Sequence, residues 1–216
     1  MARHALVIGA TGLVGSELVD TLLADPAWTS VTILVRRKLD RSDAKLRIAL
    51  VDFAQLDALV WPAIDDVFCC LGTTIRTAGS QAAFRRVDHD YPLAVARAAL
   101  AHGAQRFLFV SAMGADPRAT VFYSRVKGEL ERDAAALPYR AVVALRPALL
   151  AGARAESRRG ERLALAVLQP LRGLVPRNYR PVAAIAVARA MVAFAKRDLR
   201  GFHVVASGEI LPFAPD

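Results

Sequence analysis

Three glycines interrupt an apolar stretch in "HALVIGATGLVGSEL": Gly9, Gly12 and Gly15. Glycine inside a strand or helix costs roughly 0.5–1 kcal/mol relative to alanine, so a backbone without side chains must serve a purpose here. "LVIG" reads as a strand and "GLVGSEL" as the start of a helix, which places the glycines at the junction. Gly9 then permits a tight turn, Gly12 lets the backbone approach a pyrophosphate, and Gly15 lets the helix pack closely on the first strand. The N-terminus of such a helix offers unsatisfied N–H groups and partial positive charge to phosphates. Thr11, Leu13 and Val14 belong to the same turn. A second group lies in the middle of the chain. Tyr123 and Lys127 are four residues apart in "YSRVKGE" and share a helix face. Ser111 ends the strand before them, in "FVSAMGAD".

The elements that must position these groups alternate along the chain. "HALVIG", "SVTILVR", "LRIALVDF", "DDVFCCLG", "QRFLFVSAMG", "YRAVVALRP" and "GFHVVAS" read as strands. "GLVGSELVDTLLAD" has helical spacing at Leu13, Leu18, Leu22 and Leu23. "SQAAFRRVDHDYPLAVARAALAHG" predicts a helix kinked or split near Tyr91–Pro92, because proline disfavours helical geometry in the residue before it. "YSRVKGELERDAAAL" predicts another helix, and two arginine-rich helical stretches are expected over about residues 155–172 and 181–196. Short apolar strands separated by helices imply a parallel sheet covered on both faces, and right-handed crossovers favour a doubly wound α/β fold. No linker divides the 216 residues, so a single domain is expected.

Composition narrows the function classes. The net charge of +9 raises nucleic-acid binding as a possibility. The positive residues are spread along the chain rather than massed, without zinc-finger spacing or an aromatic RNA-binding signature, so a solvated arginine surface is the expectation. No apolar run reaches the roughly 18 residues of a membrane span. The first fifteen residues could pass for a short basic start followed by an apolar run, but the glycines would break a signal helix. A cytoplasmic location is therefore expected. Cys69 and Cys70 are adjacent, point to opposite faces of a strand and are poorly placed to share a metal. They read as small core residues, and no metal site is expected.

The glycine spacing is G-x-x-G-x-x-G, and with it the sequence resembles the extended and atypical short-chain dehydrogenase/reductases. "RVDHDYPLAVARAALAHGAQRFLFVSAMGAD", "YSRVKGELE" and "ALRPALL" sharpen the resemblance to the HIV Tat-interacting-protein group of that family and its bacterial relatives. The resemblance implies an NAD(P)-binding Rossmann fold with a small substrate-side cover over about residues 148–200. It implies that Tyr123 is the general acid/base, that Ser111 orients the substrate oxygen, and that Lys127 binds the nicotinamide ribose and assists the tyrosine. A tyrosine ordinarily titrates near 10, and bringing one to about 7 takes roughly 4 kcal/mol of differential stabilisation. A nearby ammonium and a positive nicotinamide ring in a desolvated cleft could supply that. NAD-preferring members carry an acid after the second strand. This chain has Arg36 and Arg37 there, about twenty residues after Gly15, and guanidinium pairs with a 2′-phosphate where carboxylate would repel it. NADP(H) is thus the expected cofactor, with NAD(H) the alternative. "VDF" resembles the family's adenine-contacting segment, implicating Asp52 and Phe53. Leu71, Gly72 and Thr73 take the place of the segment that runs beside the cofactor, and Pro147 would border the nicotinamide. Asp88 stands where many relatives have an asparagine that supports a proton relay. His89 beside it reads as a surface or helix-packing histidine.

The expected function is an NADP(H)-dependent oxidoreductase acting on a carbonyl or alcohol, or related epimerase or dehydratase chemistry on a nucleotide-linked substrate. The alternative is a non-catalytic NADP(H) sensor acting through a protein partner.

Overall fold

The computed structural model describes residues 2–56, 59–151 and 176–215. Six strands come first in chain order: β1 (Arg3–Ile8), β2 (Trp28–Val35), β3 (Leu46–Leu50), β4 (Asp66–Cys69), β5 (Arg106–Val110) and β6 (Ala141–Arg146). A short pair, β7 (Leu150–Ala151) and β8 (Val182–Ala183), precedes the last strand, β9 (Gly201–Ala206). The helices are α1 (Leu13–Ala24), α2 (Ile75–Ala78), α3 (Gln81–Arg85), α4 (Tyr91–Ala101), α5 (Phe122–Ala135), α6 (Ala184–Lys196) and α7 (Ser207–Ile210).

Seven strands form one sheet in the order β3-β2-β1-β4-β5-β6-β9, and every neighbouring pair is parallel. This is the doubly wound Rossmann arrangement. Period-two alternation sends Ala5 and Val7 of β1 to one face and Leu6 and Ile8 to the other. The first face is covered by α1 and α6, through Leu18, Leu22, Val187 and Met191. The second is covered by α4 and α5, through Val95, Ala96, Leu130 and Ala134. With both faces covered, β1 can be apolar throughout its second half, and Leu6, Val7 and Ile8 are wholly buried.

At the amino ends of the strands, the buried Asp66 carboxylate accepts from Trp28 Nε1 at 2.9 Å and from Arg3 at 2.5 Å, and lies 3.3 Å from an Arg106 nitrogen. Burial pushes the Asp66 carboxyl up, and the bonds from Arg3 and Trp28 act against that rise. This cluster ties β1, β2, β4 and β5 at the edge opposite the glycine turn.

The long helix expected to kink or split near Tyr91–Pro92 runs on without a break in helical structure. It widens: α3 and α4 are joined by a π-helical turn over Arg86–Asp90. Pro92 has no N–H for the carbonyl of Asp88. The Tyr91 N–H instead reaches the Arg86 carbonyl, five residues back, and the chain continues. Of the stretch 148–200 expected to cover the substrate side, α6 lies in the main core against α1. The helical stretch expected over 155–172 lies outside the described residues.

Candidate active site

β1 pairs with β2 on one side and β4 on the other, so the chain connections diverge around it. In open α/β sheets ligands bind outside the carboxyl ends of the strands at that point. Gly9 follows β1 there with φ +79°, and a Cβ on it would lie 2.4 Å from the Cys70 carbonyl carbon. A Cβ on Gly15 would lie 2.0 Å from the Gly9 oxygen. Both glycines are therefore fixed by the fold itself. Gly12 is different. Its φ of −81° suits any residue, and the nearest atom to a Cβ would be the Gly9 oxygen at 3.3 Å. Gly12 caps α1 without a side-chain bond, and the first intrahelical bond runs from Ser16 N–H to the Gly12 carbonyl at 3.0 Å. The N–H groups of Leu13, Val14 and Gly15 thus have no intrahelical acceptor. Val14 is buried and Leu13 packs on the core, so their side chains belong to the fold. Thr11 and Gly12 are exposed. An uncapped helix N-terminus beneath a glycine that the fold does not require fits a pyrophosphate.

Around this turn, the Ile8–Leu34 pairing brings the end of β2 alongside the end of β1. Arg36 and Arg37 follow, exposed and without an ion pair among the described residues. Asp52 is exposed and its carboxylate accepts from Ala54 N–H at 2.9 Å. Phe53 turns its ring inward. The ring is buried and stacks on Tyr91 with centroids 5.4 Å apart, because α4 draws it into the core. Leu71 packs on that same core, Gly72 is exposed, and Thr73 donates its N–H to Asp88 Oδ2 at 2.8 Å. Pro147 is buried, and its carbonyl accepts from Met113 N–H at 3.2 Å.

Lys127 and Tyr123 stand on one face of α5 as their spacing requires. Tyr123 is 38% exposed and packs against the Phe84 ring at 5.7 Å. Lys127 is 4% exposed, with its Nζ 2.9 Å from Asp88 Oδ1 and 3.4 Å from the Val110 carbonyl. Burial acts to lower the Lys127 pKa, but the Asp88 and Tyr123 charges outweigh it, and the ammonium is held above the ordinary lysine range. The contact with Asp88 is an ion pair rather than an aligned hydrogen bond, since Oδ1 has no hydrogen-bond partner. A Cβ on Gly72 would lie 3.5 Å from Asp88 Oδ1 and 4.0 Å from Lys127 Nζ, so the pair sits directly under the exposed turn after β4.

Ser111 directly follows β5. It is buried, and its hydroxyl donates to Glu131 Oε1 at 2.5 Å. Glu131 lies one helical turn beyond Lys127, is itself buried, and takes a forked pair of bonds from Arg146. Ser111, Glu131 and Arg146 therefore bolt the ends of β5 and β6 to α5. Gly128 between the two charged residues lets the loop after β5 lie against the helix, since a Cβ there would meet the Asp116 carbonyl carbon at 2.2 Å. Sequence reading missed Glu131, Arg146 and Gly128. The signal was present in the buried face of α5, where Lys127 and Glu131 share four-residue spacing with Tyr123. Among the described residues, no group of three or more His, Cys, Asp or Glu side chains is placed to hold a metal ion.

Residues 9–146 match the NAD(P)H-binding family. The protein HTATIP2 of Rattus norvegicus is 38% identical over 167 residues, covering 75% of this chain and 69% of that protein. The mitochondrial protein FMP52 of Eremothecium gossypii is 36% identical over 220 residues, covering 96% of each chain. The chain is an atypical short-chain dehydrogenase/reductase. Solved structures share the fold of this short-chain dehydrogenase/reductase at low identity. MoeE5 in complex with UDP-glucose and NAD superposes with a TM-score of 0.70 at 23% identity, over 97% of this chain and 80% of that one. A short chain dehydrogenase family protein from Francisella tularensis superposes with a TM-score of 0.65 at 15% identity, over 97% and 99%. The expected cytoplasmic location does not stand, because fungal relatives matched over 90% or more of the chain are named as mitochondrial proteins. Among the described residues no helix is long and apolar enough to cross a membrane.

Proposed function

We propose that this short-chain dehydrogenase/reductase is an NADP(H)-dependent oxidoreductase acting on a carbonyl or alcohol carbon. The observation that carries the proposal is a shared edge. The open N-terminus of α1 under Gly12, the buried Lys127 ammonium under Gly72, and the exposed Tyr123 phenol all lie at the carboxyl ends of the strands. Gly12 and the free N–H groups of α1 hold the pyrophosphate, and Arg36 and Arg37 pair with the 2′-phosphate. Lys127 donates to the nicotinamide ribose, and Tyr123 gives or takes the proton at the substrate oxygen. The bound cofactor supplies or accepts the hydride. A nucleotide-linked substrate is in keeping with the UDP-glucose bound by the structurally similar MoeE5. The names of the fungal relatives support a mitochondrial location.

Two observations favour a second reading, an NADP(H) sensor that binds a protein partner. The Ser111 hydroxyl is committed to Glu131, and Lys127 is neutralised by Asp88. The deciding experiment measures NADPH binding and turnover over a panel of carbonyls and alcohols, in wild type and Tyr123→Phe. An oxidoreductase keeps NADPH affinity within a few-fold in the variant and loses turnover by about 10²–10⁴-fold. Equal turnover by the variant on a genuine substrate refutes Tyr123 as the acid/base. NADPH binding with no turnover by the wild type selects the sensor.

A further inference from the structure

The π-helical turn Arg86–Asp90 carries two buried polar side chains in succession, and the site uses only the first, Asp88. The second, His89, is 6% exposed. Its Nδ1 lies 2.8 Å from Asp90 Oδ1, and its Nε2 lies 3.0 Å from Asp133 Oδ2 on α5. An ionised carboxylate only accepts hydrogen bonds, and a neutral imidazole has only one N–H. Both contacts are hydrogen bonds at once only when the ring carries its second proton.

The surroundings fit that form. Charges alternate along the seam between α3, the π turn and α5: Glu129 with Arg85, Arg85 with Asp90, Asp90 with His89, His89 with Asp133, and Asp133 with Arg132. The cations facing His89's partners, Arg85 and Arg132, are each engaged by a carboxylate. Lys127 and Asp88, on the same two elements, engage each other. Arg132 chiefly, and His89 after it, holds the Asp133 carboxyl below its ordinary range, with burial opposing them.

Pro92 removes the α-helical bond but does not fix where the widened turn points. A one-residue change of helical register would rotate Asp88 by about 100°, away from Lys127 and Thr73. A tie on the adjacent residue prevents it. We propose that His89 is a positioning residue whose imidazolium clamps the π turn to α5, and so holds Asp88 between the Lys127 ammonium and the Thr73 N–H. The inference rests on the proposed contacts of Lys127 and the 71–73 turn with NADP(H), and it makes cofactor binding depend on the protonation of His89. The clamp holds while the imidazole is protonated and the two carboxylates are ionised. It is lost when the ring gives up its second proton, because a neutral imidazole can donate to only one of the two carboxylates.

The test compares the NADPH dissociation constants of His89→Gln and wild type near pH 6 and near pH 8.5. Their ratio cancels the ionisation of the nucleotide's own phosphate. It is expected to be about tenfold near pH 6, the loss typical of one charge-assisted hydrogen bond, and to approach one near pH 8.5. Asp133→Asn, which keeps the shape of the partner, reproduces the pattern and replaces the first variant if that fails to fold. A ratio that is the same at both pH values overturns the proposal, since a merely structural histidine lowers affinity or stability without that pH dependence. Absence of NADPH and NADH binding by the wild type at both pH values removes the cofactor reading instead. The clamp is then judged by the melting temperature of wild type over His89→Gln. That gap must close between pH 6 and 8.5, and an unchanged gap overturns the clamp.

Discussion

One methyl group placed in turn at Gly9, Gly12 and Gly15 separates what the fold requires from what a ligand requires. At Gly9 alanine must hold φ +79°, which costs roughly 1–2 kcal/mol. It must also displace the Cys70 carbonyl carbon from 2.4 Å, an overpacking typically worth about 1–3 kcal/mol. Gly9→Ala should therefore lose about 2–5 kcal/mol. Gly15→Ala meets the Gly9 oxygen at 2.0 Å and the Ala10 Cα at 2.9 Å, and the lack of any yielding side chain puts it near the top of the overpacking range. Gly12→Ala meets the Gly9 oxygen at 3.3 Å and the Cys70 oxygen at an ordinary 4.0 Å, with an ordinary φ. Its cost is the poorer helix cap, about 1 kcal/mol or less. The order reverses for NADPH. The Gly12 methyl stands where the pyrophosphate must approach, and losing one charge-assisted hydrogen bond weakens binding by roughly ten- to a hundredfold. Urea unfolding and NADPH fluorescence titration on the three variants read both quantities. A Gly12→Ala protein with wild-type NADPH affinity would refute the phosphate cradle, and one that loses as much stability as Gly15→Ala would refute the division of roles.

Replacing Arg36 and Arg37 together by alanine should weaken NADPH binding at least about tenfold and leave NADH unchanged, since the proposed contact is with the 2′-phosphate alone. Isothermal titration with both nucleotides checks this, and equal losses would move the arginines away from the 2′-phosphate. Ser111→Ala should lower stability by about 1–3 kcal/mol, through loss of a hydrogen bond to the charged Glu131, whose Oε1 keeps the bond from Arg146, while turnover on any substrate stays within a few-fold. A loss of turnover without a loss of stability would restore the serine to the cleft. Lys127→Met leaves the Asp88 carboxylate buried without a countercharge and should cost about 3–5 kcal/mol, whereas adding Asp88→Leu recovers most of it in a double-mutant cycle. Burial pushes the Cys69 thiol up to about 12, so native protein near pH 8 should not react with iodoacetamide at this residue while urea-unfolded protein does, as mass spectrometry of the peptide would resolve.

The glycine turn and the doubly wound parallel sheet around it were legible because the constraints are local. A positive φ at Gly9 and a backbone approach at Gly15 can be met by one residue type, and apolar runs buried on both faces imply a parallel sheet. The proline at 92 was also visible, but its outcome was not. Losing one N–H can break, bend or widen a helix, and the choice of a π turn depends on contacts such as His89 with Asp133, 44 residues away. Ser111 hid its partner for a similar reason. Its position at the end of β5 follows from the pattern of "RFLFV", but the direction of its hydroxyl is set by Glu131 on a later helix.

The buried face of α5 ties these outcomes together. Lys127 and Glu131 occupy it beside Val126, Leu130 and Ala134, and buried charges demand partners. Each partner comes from a different part of the fold: Asp88 from the π turn, Arg146 from the end of β6. The helix thereby fixes the turn after β4 through one charge and the ends of β5 and β6 through the other, one helical turn apart. Tyr123 stands one turn before Lys127 on the same helix, so these two ion pairs set its position relative to the turn after β4 and to the strand ends. A change at Asp88 or Arg146 that kept the fold would still move the phenol relative to the cofactor turn. The order expected in a series of such variants is loss of turnover before loss of NADPH binding, and loss of binding before loss of the sheet.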